Sequence, residues 1–335
     1  MSERVIQVIA DSDQIDAVCE TLKDLPPHHW WRLPKEEESG RQMVFISLHK
    51  ADAQDVIDSI SEVLEGSDNW RMFSMPVEAA LPETDDEDEQ ERFARMETVN
   101  TREEIYADIR QGTALTLDYL IMTAIATCVA AIGLSSGQVA VVIGAMVIAP
   151  LLGPVLAFAF GSAVGNIPLL WVSLRSLAAG LVVAALVGGA LGMILPGNPD
   201  TSMMDFSGAL SLRTVALPLA SGAAAALMVA GGQTHALVGV MVAAALLPPL
   251  AAFGLLLGGG DTGGAVRALA TVVTNIVSIN LAAQVVFLAK GIQPRRWLGK
   301  NHVSSVRVTI GASAALVIAM AAGLWAAGHG YLFGI

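Results

Sequence analysis

Beyond Arg110 the chain runs for 225 residues with only twelve charged side chains, eight basic and four acidic. Water-solvated folds carry charge at about one residue in four, so a stretch this poor in charge has lipid as its main solvent. The first 110 residues are the opposite, with 11 basic and 27 acidic side chains. The net charge of −12 therefore belongs to a polar N-terminal third. Two solvents imply two parts: an α-helical polytopic membrane domain preceded by a small soluble α+β head.

The head reads as six elements. Residues 4–10 alternate with period two, 13–25 form a short amphipathic helix, and Pro26 and Pro27 stop it. Residues 28–33 favour an extended run, 44–48 a second inner strand, and 51–65 a helix with apolar residues at Val56, Ile57, Ile60, Val63 and Leu64. Residues 70–76 return as a strand. The order βαββαβ predicts a ferredoxin-like sandwich over 1–80, a fold that often takes a small effector or pairs with itself. His28 and His29 beside Trp30 and Trp31 read as an edge strand whose neighbours face opposite ways. Residues 1–23 offer no apolar signal core, so the head is expected in the cytoplasm. Cys19 and Cys128 lie in different solvents and predict neither a bridge nor a metal cluster. The acidic head lacks a basic stripe, which argues against nucleic acid as a partner.

Residues 81–112 read as an acidic linker followed by a coupling helix. Thr101 and Glu104 have capping-box spacing there, with Ile105 and Ile109 on the helix behind them. Apolar runs of about 20 residues then predict seven spans, near 114–133, 138–162, 169–195, 209–231, 235–258, 265–289 and 306–327. Lys290, Arg295, Arg296, Lys300 and Arg307 crowd the loop after the sixth. An even number of crossings returns that loop to the head's side, and the excess of positive charge places both in the cytoplasm. A multi-pass protein of the cell inner membrane is expected, with residues 291–335 holding the basic loop and the last span.

An internal repeat organises 113–290. Shifting the sequence by 95 residues lays GQVAVVIGAMVIAPLLGPVLAF, 137–158, over GQTHALVGVMVAAALLPPLAAF, 232–253, with eleven of 22 positions identical. Aligned Gly144/Gly239, Met146/Met241 and Pro154/Pro249 are not products of apolar composition. The expected architecture is two three-span copies, 113–195 and 209–290, and an odd number of spans inverts the second relative to the first. Each copy also carries prolines in mid-span. Pro150 and Pro154 would free the carbonyls of Met146 and Pro150, and Pro248 and Pro249 those of Ala244 and Ala245. Freed carbonyls in hydrocarbon must meet protein, water or a ligand. The predicted site therefore combines Gly144, Met146, Pro150, Gly153 and Pro154 with Gly239, Met241, Ala244, Ala245, Pro248 and Pro249.

Span six adds Thr271, Thr274, Asn275 and Ser278 at helical spacing, with Asn280 and Gln284 on another face. Hydroxyls commonly bond their own helix, but Asn275 and Asn280 are costly against lipid and useful against a neighbour or a cavity. Asn275, Ser278 and Asn280 join the predicted site. Asp118, Arg175, Arg213 and Arg267 sit near span ends, where snorkelling explains them. The pairs Gly161/Gly165 and Gly188/Gly192 allow close helix contacts within or between subunits.

Several of these strings resemble prokaryotic membrane proteins that carry the domain of unknown function 389. The likeness rests on TREEIY at 101–106, IGL at 132–134, GAMVIAPLLGP at 144–154, LVGVMVAAALLPPL at 237–250, and Asn275 with Asn280. It covers about 100–290 and implies an integral inner-membrane protein without implying an activity.

Three functions compete. A transporter or channel for an ion or small polar solute fits inverted repeats with broken helices meeting at mid-membrane, gated by the head. A membrane-anchored sensor or scaffold, oligomerising through its spans, fits a head that binds a ligand or partner. An intramembrane enzyme would need a nucleophile and base, or metal ligands, at one depth. No Ser-His, His-Glu or Asp pair lies inside a span, so no catalytic set, metal or cofactor is expected.

Overall fold

A computed structural model describes residues 3–25, 29–36, 40–67, 69–77, 101–194, 212–231, 236–292 and 311. The chain divides into two compact units, Met1–Arg102 and Glu103–Ile335.

In the first unit, β1 (Glu3–Asp11) leads into α1 (Ser12–Leu22), then β2 (His29–Arg32), β3 (Arg41–His49), a 3-10 turn (Lys50–Asp52), α2 (Ala53–Val63) and β4 (Arg71–Pro76). All neighbours in the sheet are antiparallel, in the order β2-β3-β1-β4, as a ferredoxin-like βαββαβ unit has it. Strict alternation along β1 and β3 puts Ile6, Val8, Ala10, Val44, Ile46 and Leu48 on one face. There they form one core with Ile15, Val18 and Leu22 of α1 and Val56, Ile57 and Ile60 of α2. The Asp11 N–H donates to Gln14 Oε1 at the start of α1 (3.2 Å). As expected, β2 is an edge strand. Trp31 stacks on Phe45 at 5.7 Å and 8°, while its neighbour Trp30 pairs with the buried Ile46. Burial pushes the Cys19 thiol up, fitting an inert packing residue.

The capping expectation at Thr101 fails. Thr101 Oγ1 is buried and has no partner among the described residues. Gln54 Oε1 accepts from the Arg102 N–H instead (2.8 Å), and Arg102 Nη2 pairs with Asp58 Oδ1 at 2.8 Å. A side chain 48 residues away thus accepts from the first N–H of the helix, a different donor from the third-residue N–H that local spacing assigned to Thr101.

Helix α3 (Arg102–Thr113) begins on the last residue of the first unit, and in the second unit it precedes α4 (Leu117–Ser135), α5 (Val139–Ile148), α6 (Leu152–Val164), α7 (Ile167–Ile194), α8 (Leu212–Ala230), α9 (Ala236–Gly258) and α10 (Thr262–Ala289). Thr116 caps α4 by accepting from the Tyr119 N–H, and Asp261 caps α10 by accepting from the Gly264 N–H. Four helices are long and apolar enough to cross a membrane: α4, α7, α9 and α10. The bent pair α5 and α6 passes with them as a fifth, and Val215–Ala230 is a shorter apolar helix. The protein is thus a multi-pass membrane protein. Apart from residue 311, the expected span at 306–327 lies outside the described residues.

Helix α9 stands at the centre, packed on α4, α5, α6, α7, α8 and α10. Its closest approach is to α7, where Gly188 and Gly189 face Gly254 and Gly258; a methyl on Gly188 would lie 3.0 Å from Gly254 Cα. This realises the small-residue contact expected of Gly188 and Gly192. The Gly161/Gly165 pair does something else: Gly165 takes φ +69° as the C-cap of α6, and a methyl on Gly161 would meet Leu170 across that turn.

Candidate membrane site

Proline's ring disfavours a helical conformation in the residue before it. Ahead of Pro150, Ala149 adopts φ −74°, ψ 119°, and α5 ends there. The helix resumes at Leu152 with its axis turned by 56°. Pro154 is then the third residue of α6, within a first turn whose N–H groups have no acceptor in their own helix. Since Pro150 lies outside both helices, Pro154 frees no helical bond at its carbonyl, which corrects the sequence reading at that atom.

A chain of hydroxyls holds the restart of α6. Thr113 Oγ1 shares its proton between the Ile109 carbonyl of its own helix (2.5 Å) and the Gly153 carbonyl (3.2 Å), Ser176 Oγ donates to the Thr113 carbonyl (2.7 Å) and the Tyr119 hydroxyl to the Ser176 carbonyl (3.0 Å). Gly153 is required for this approach, because any methyl there would collide with the Gly112 carbonyl. Pro154 is buried, while Met146, Pro150 and Gly153 are half-buried. Gly144 faces outward into open space.

The second copy behaves differently. Helix α9 runs unbroken through Pro248 and Pro249, so the expectation of a break there is overturned. The two prolines still remove the N–H groups that would reach the carbonyls of Ala244 and Ala245. One of these is answered by protein: Asn275 Nδ2 donates to the Ala245 carbonyl at 2.6 Å, in a buried contact. Packing on six neighbouring helices and this replacement bond offset the loss, which explains why the helix persists. Pro249 and Ala245 are buried, and Ala244, Pro248 and Gly239 half-buried; Met241 is exposed. A methyl on Gly239 would touch Leu152 Cδ2 at 3.8 Å, so the start of α9 lies beside the restart of α6.

On α10 several polar groups bond their own helix. Ser278 Oγ donates to the Thr274 carbonyl (2.7 Å), Asn280 Nδ2 to the Ile276 carbonyl (2.8 Å) and Thr271 Oγ1 to the Arg267 carbonyl (3.0 Å). Other atoms are buried with no partner among the described residues: Thr274 Oγ1, Asn280 Oδ1, both amide atoms of Gln284, Ser162 Oγ of α6 and Ser221 Oγ of α8. Each such group costs about 1–3 kcal/mol of desolvation, and native proteins keep few of them. Gln284 lies at i+4 from Asn280, so its face is readable from spacing. Nothing in the sequence marks its amide as unpaired, and no periodic signal singles out Ser162 or Ser221. Among the described residues no group of three or more His, Cys, Asp or Glu side chains is placed to hold a metal ion. Neutral amides, hydroxyls and backbone carbonyls are what these helices offer.

Residues 146–281 match the family described as Domain of unknown function (DUF389). An uncharacterised protein of Methanocaldococcus jannaschii is 33% identical over 251 residues, spanning 75% of this chain and 77% of the relative. No solved structure matches.

Proposed function

Because the chain belongs to the family defined by the domain of unknown function 389, whose name carries no activity, its role rests on its own chemistry, and we propose that it is a transporter or channel for an ion or small polar solute. It works in the cell's inner membrane with the head in the cytoplasm as a regulatory module. The observation that carries this reading is the break at Ala149 to Leu151 inside an otherwise apolar span. Non-helical backbone at membrane depth is tolerated where protein buries it or where it lines a water-filled cavity.

Packing supports descent from an inverted three-span repeat. Taking α5 with α6 as one span, each pair of touching spans has a counterpart in the other copy. The α4 contact with α5 mirrors that of α8 with α9, and α6 with α7 mirrors α9 with α10. Likewise α4 with α7 mirrors α8 with α10, α9 with α7 mirrors α6 with α10, and α4 with α9 mirrors α8 with α6. A two-fold exchange of three-span units produces this pattern.

A sensor is the second reading, and one observation favours it. The sheet face away from α1 and α2 carries exposed Trp31 beside Phe45 and, across Gln7 of β1, exposed Phe73 with Met75, a surface suited to a ligand or partner.

The deciding experiment is flux through proteoliposomes containing the purified full chain, measured over inorganic ions and small uncharged solutes. Flux above protein-free vesicles that changes at least tenfold in Pro150→Ala is the expected result. No flux of any member of the panel would overturn the transport reading.

A further inference from the structure

Asn280 and Gln284 are one helical turn apart on α10, and each is about 99% buried. Asn280 Oδ1, Gln284 Oε1 and Gln284 Nε2 have no partner among the described residues. Phe287, three residues beyond Gln284 on the same face, meets Phe160 of α6 edge-on at 5.6 Å. The unpaired amides therefore share the face of α10 that meets α6, the helix that restarts after the break. We infer that this face of α10 is the solute site of the transport pathway, and that the solute is uncharged and carries both a hydrogen-bond donor and an acceptor. The inference rests on the transport reading and narrows it.

The charge argument has two parts. No Asp, Glu, Lys, Arg or His occurs between Arg267 and Lys290 on α10, within 152–164 of α6, within 215–230 of α8 or within 239–258 of α9. An ion entering this face would meet no opposite charge, so the few neutral dipoles here would have to replace its whole hydration shell. The donor set is also mixed. A cation wants acceptors only and is repelled by Gln284 Nε2, whereas an anion wants donors only and is repelled by Asn280 Oδ1 and Gln284 Oε1. Urea and small polyols satisfy all three atoms at once. Asn275, by contrast, is committed to the Ala245 carbonyl and keeps α9 intact, so it belongs to the frame of the site.

The test uses the full chain in proteoliposomes, with urea and glycerol as uncharged probes and potassium and chloride as ionic ones. Gln284→Leu and Asn280→Leu are expected to lower urea or glycerol flux at least tenfold, with a thermal unfolding midpoint equal to or above the wild type. Urea and glycerol flux within twofold of wild type in both variants, or passage of ions with exclusion of urea and glycerol, would overturn the inference and leave the transport reading standing. If wild-type vesicles pass nothing, the transport reading fails and a hydration measurement decides the site. Gln284→Cys, in a chain with Cys19 and Cys128 replaced, is treated with a small hydrophilic thiol reagent. Labelling that urea or glycerol slows supports a solute site. Absence of labelling, or labelling that neither solute affects, means a dry face or a fixed structural water and overturns the site.

Discussion

Residues 137–158 and 232–253 agree at half their positions, yet the first segment is bent by 56° at a two-helix junction, whereas 236–253 of the second lie within one unbroken helix. The informative difference is the aligned pair Pro150 and Ala245. Where proline stands, the preceding Ala149 leaves the helical region; where alanine stands, the helix continues. The later prolines do not break α9, because it is packed on six neighbouring helices and Asn275 takes over one freed carbonyl. Proline thus breaks a span according to what surrounds it and what can answer the released backbone group.

Exchanging the two residues tests this directly. Ala245→Pro should have the largest effect: it removes another helical N–H in the most enclosed helix and costs ~3 kcal/mol or more, read as loss of folded protein in detergent melts. Gly153→Ala comes next, at about 1–3 kcal/mol, because its methyl has no room beside Gly112. Gly144→Ala, with open space around it, should leave the melt unchanged or raise it. Asn275→Leu should cost about 1–3 kcal/mol by orphaning the Ala245 carbonyl. The same substitution should cost less in a Pro249→Ala background, where the helix supplies its own N–H; an equal cost would show that the Asn275 bond does not compensate for the proline.

A small, pH-dependent effect concerns α3, whose C-terminal end touches the broken copy at Gly153. Burial, and then the nearby Glu104, hold the Asp108 carboxyl above the usual carboxylate range. A raised folded value means the folded state keeps its proton more tightly. Its contribution is fully present below the unfolded value, about 4, and is lost as pH rises through the folded one. Asp108→Asn should therefore raise the melting midpoint slightly at pH 7 and make little difference at pH 4.

Much of the architecture was legible because it is periodic. Period-two alternation gave β1 and β3, and long apolar runs gave α4, α7, α9 and α10. The freed carbonyl of Ala245 and the costly Asn275 were each readable, but their meeting was not, since 30 residues separate them and only packing joins them. Thr101 shows the same limit: its spacing is that of a cap, yet its hydroxyl has no partner among the described residues and Gln54, from elsewhere in the fold, bonds the first N–H of the helix. The unpaired state of Gln284 depends on which side chains lie opposite, a property no local pattern carries.

Paired spin labels measure the asymmetry between the copies. In a chain with its native cysteines replaced, one pair is placed at Ile143 and Val164 across the break, and another at Ala236 and Leu257 along α9. Both pairs span 21 residue steps, about 32 Å along a continuous helix, and the bend should make the first distance shorter than the second by roughly 3 Å. Equal distances in the two copies would contradict the account.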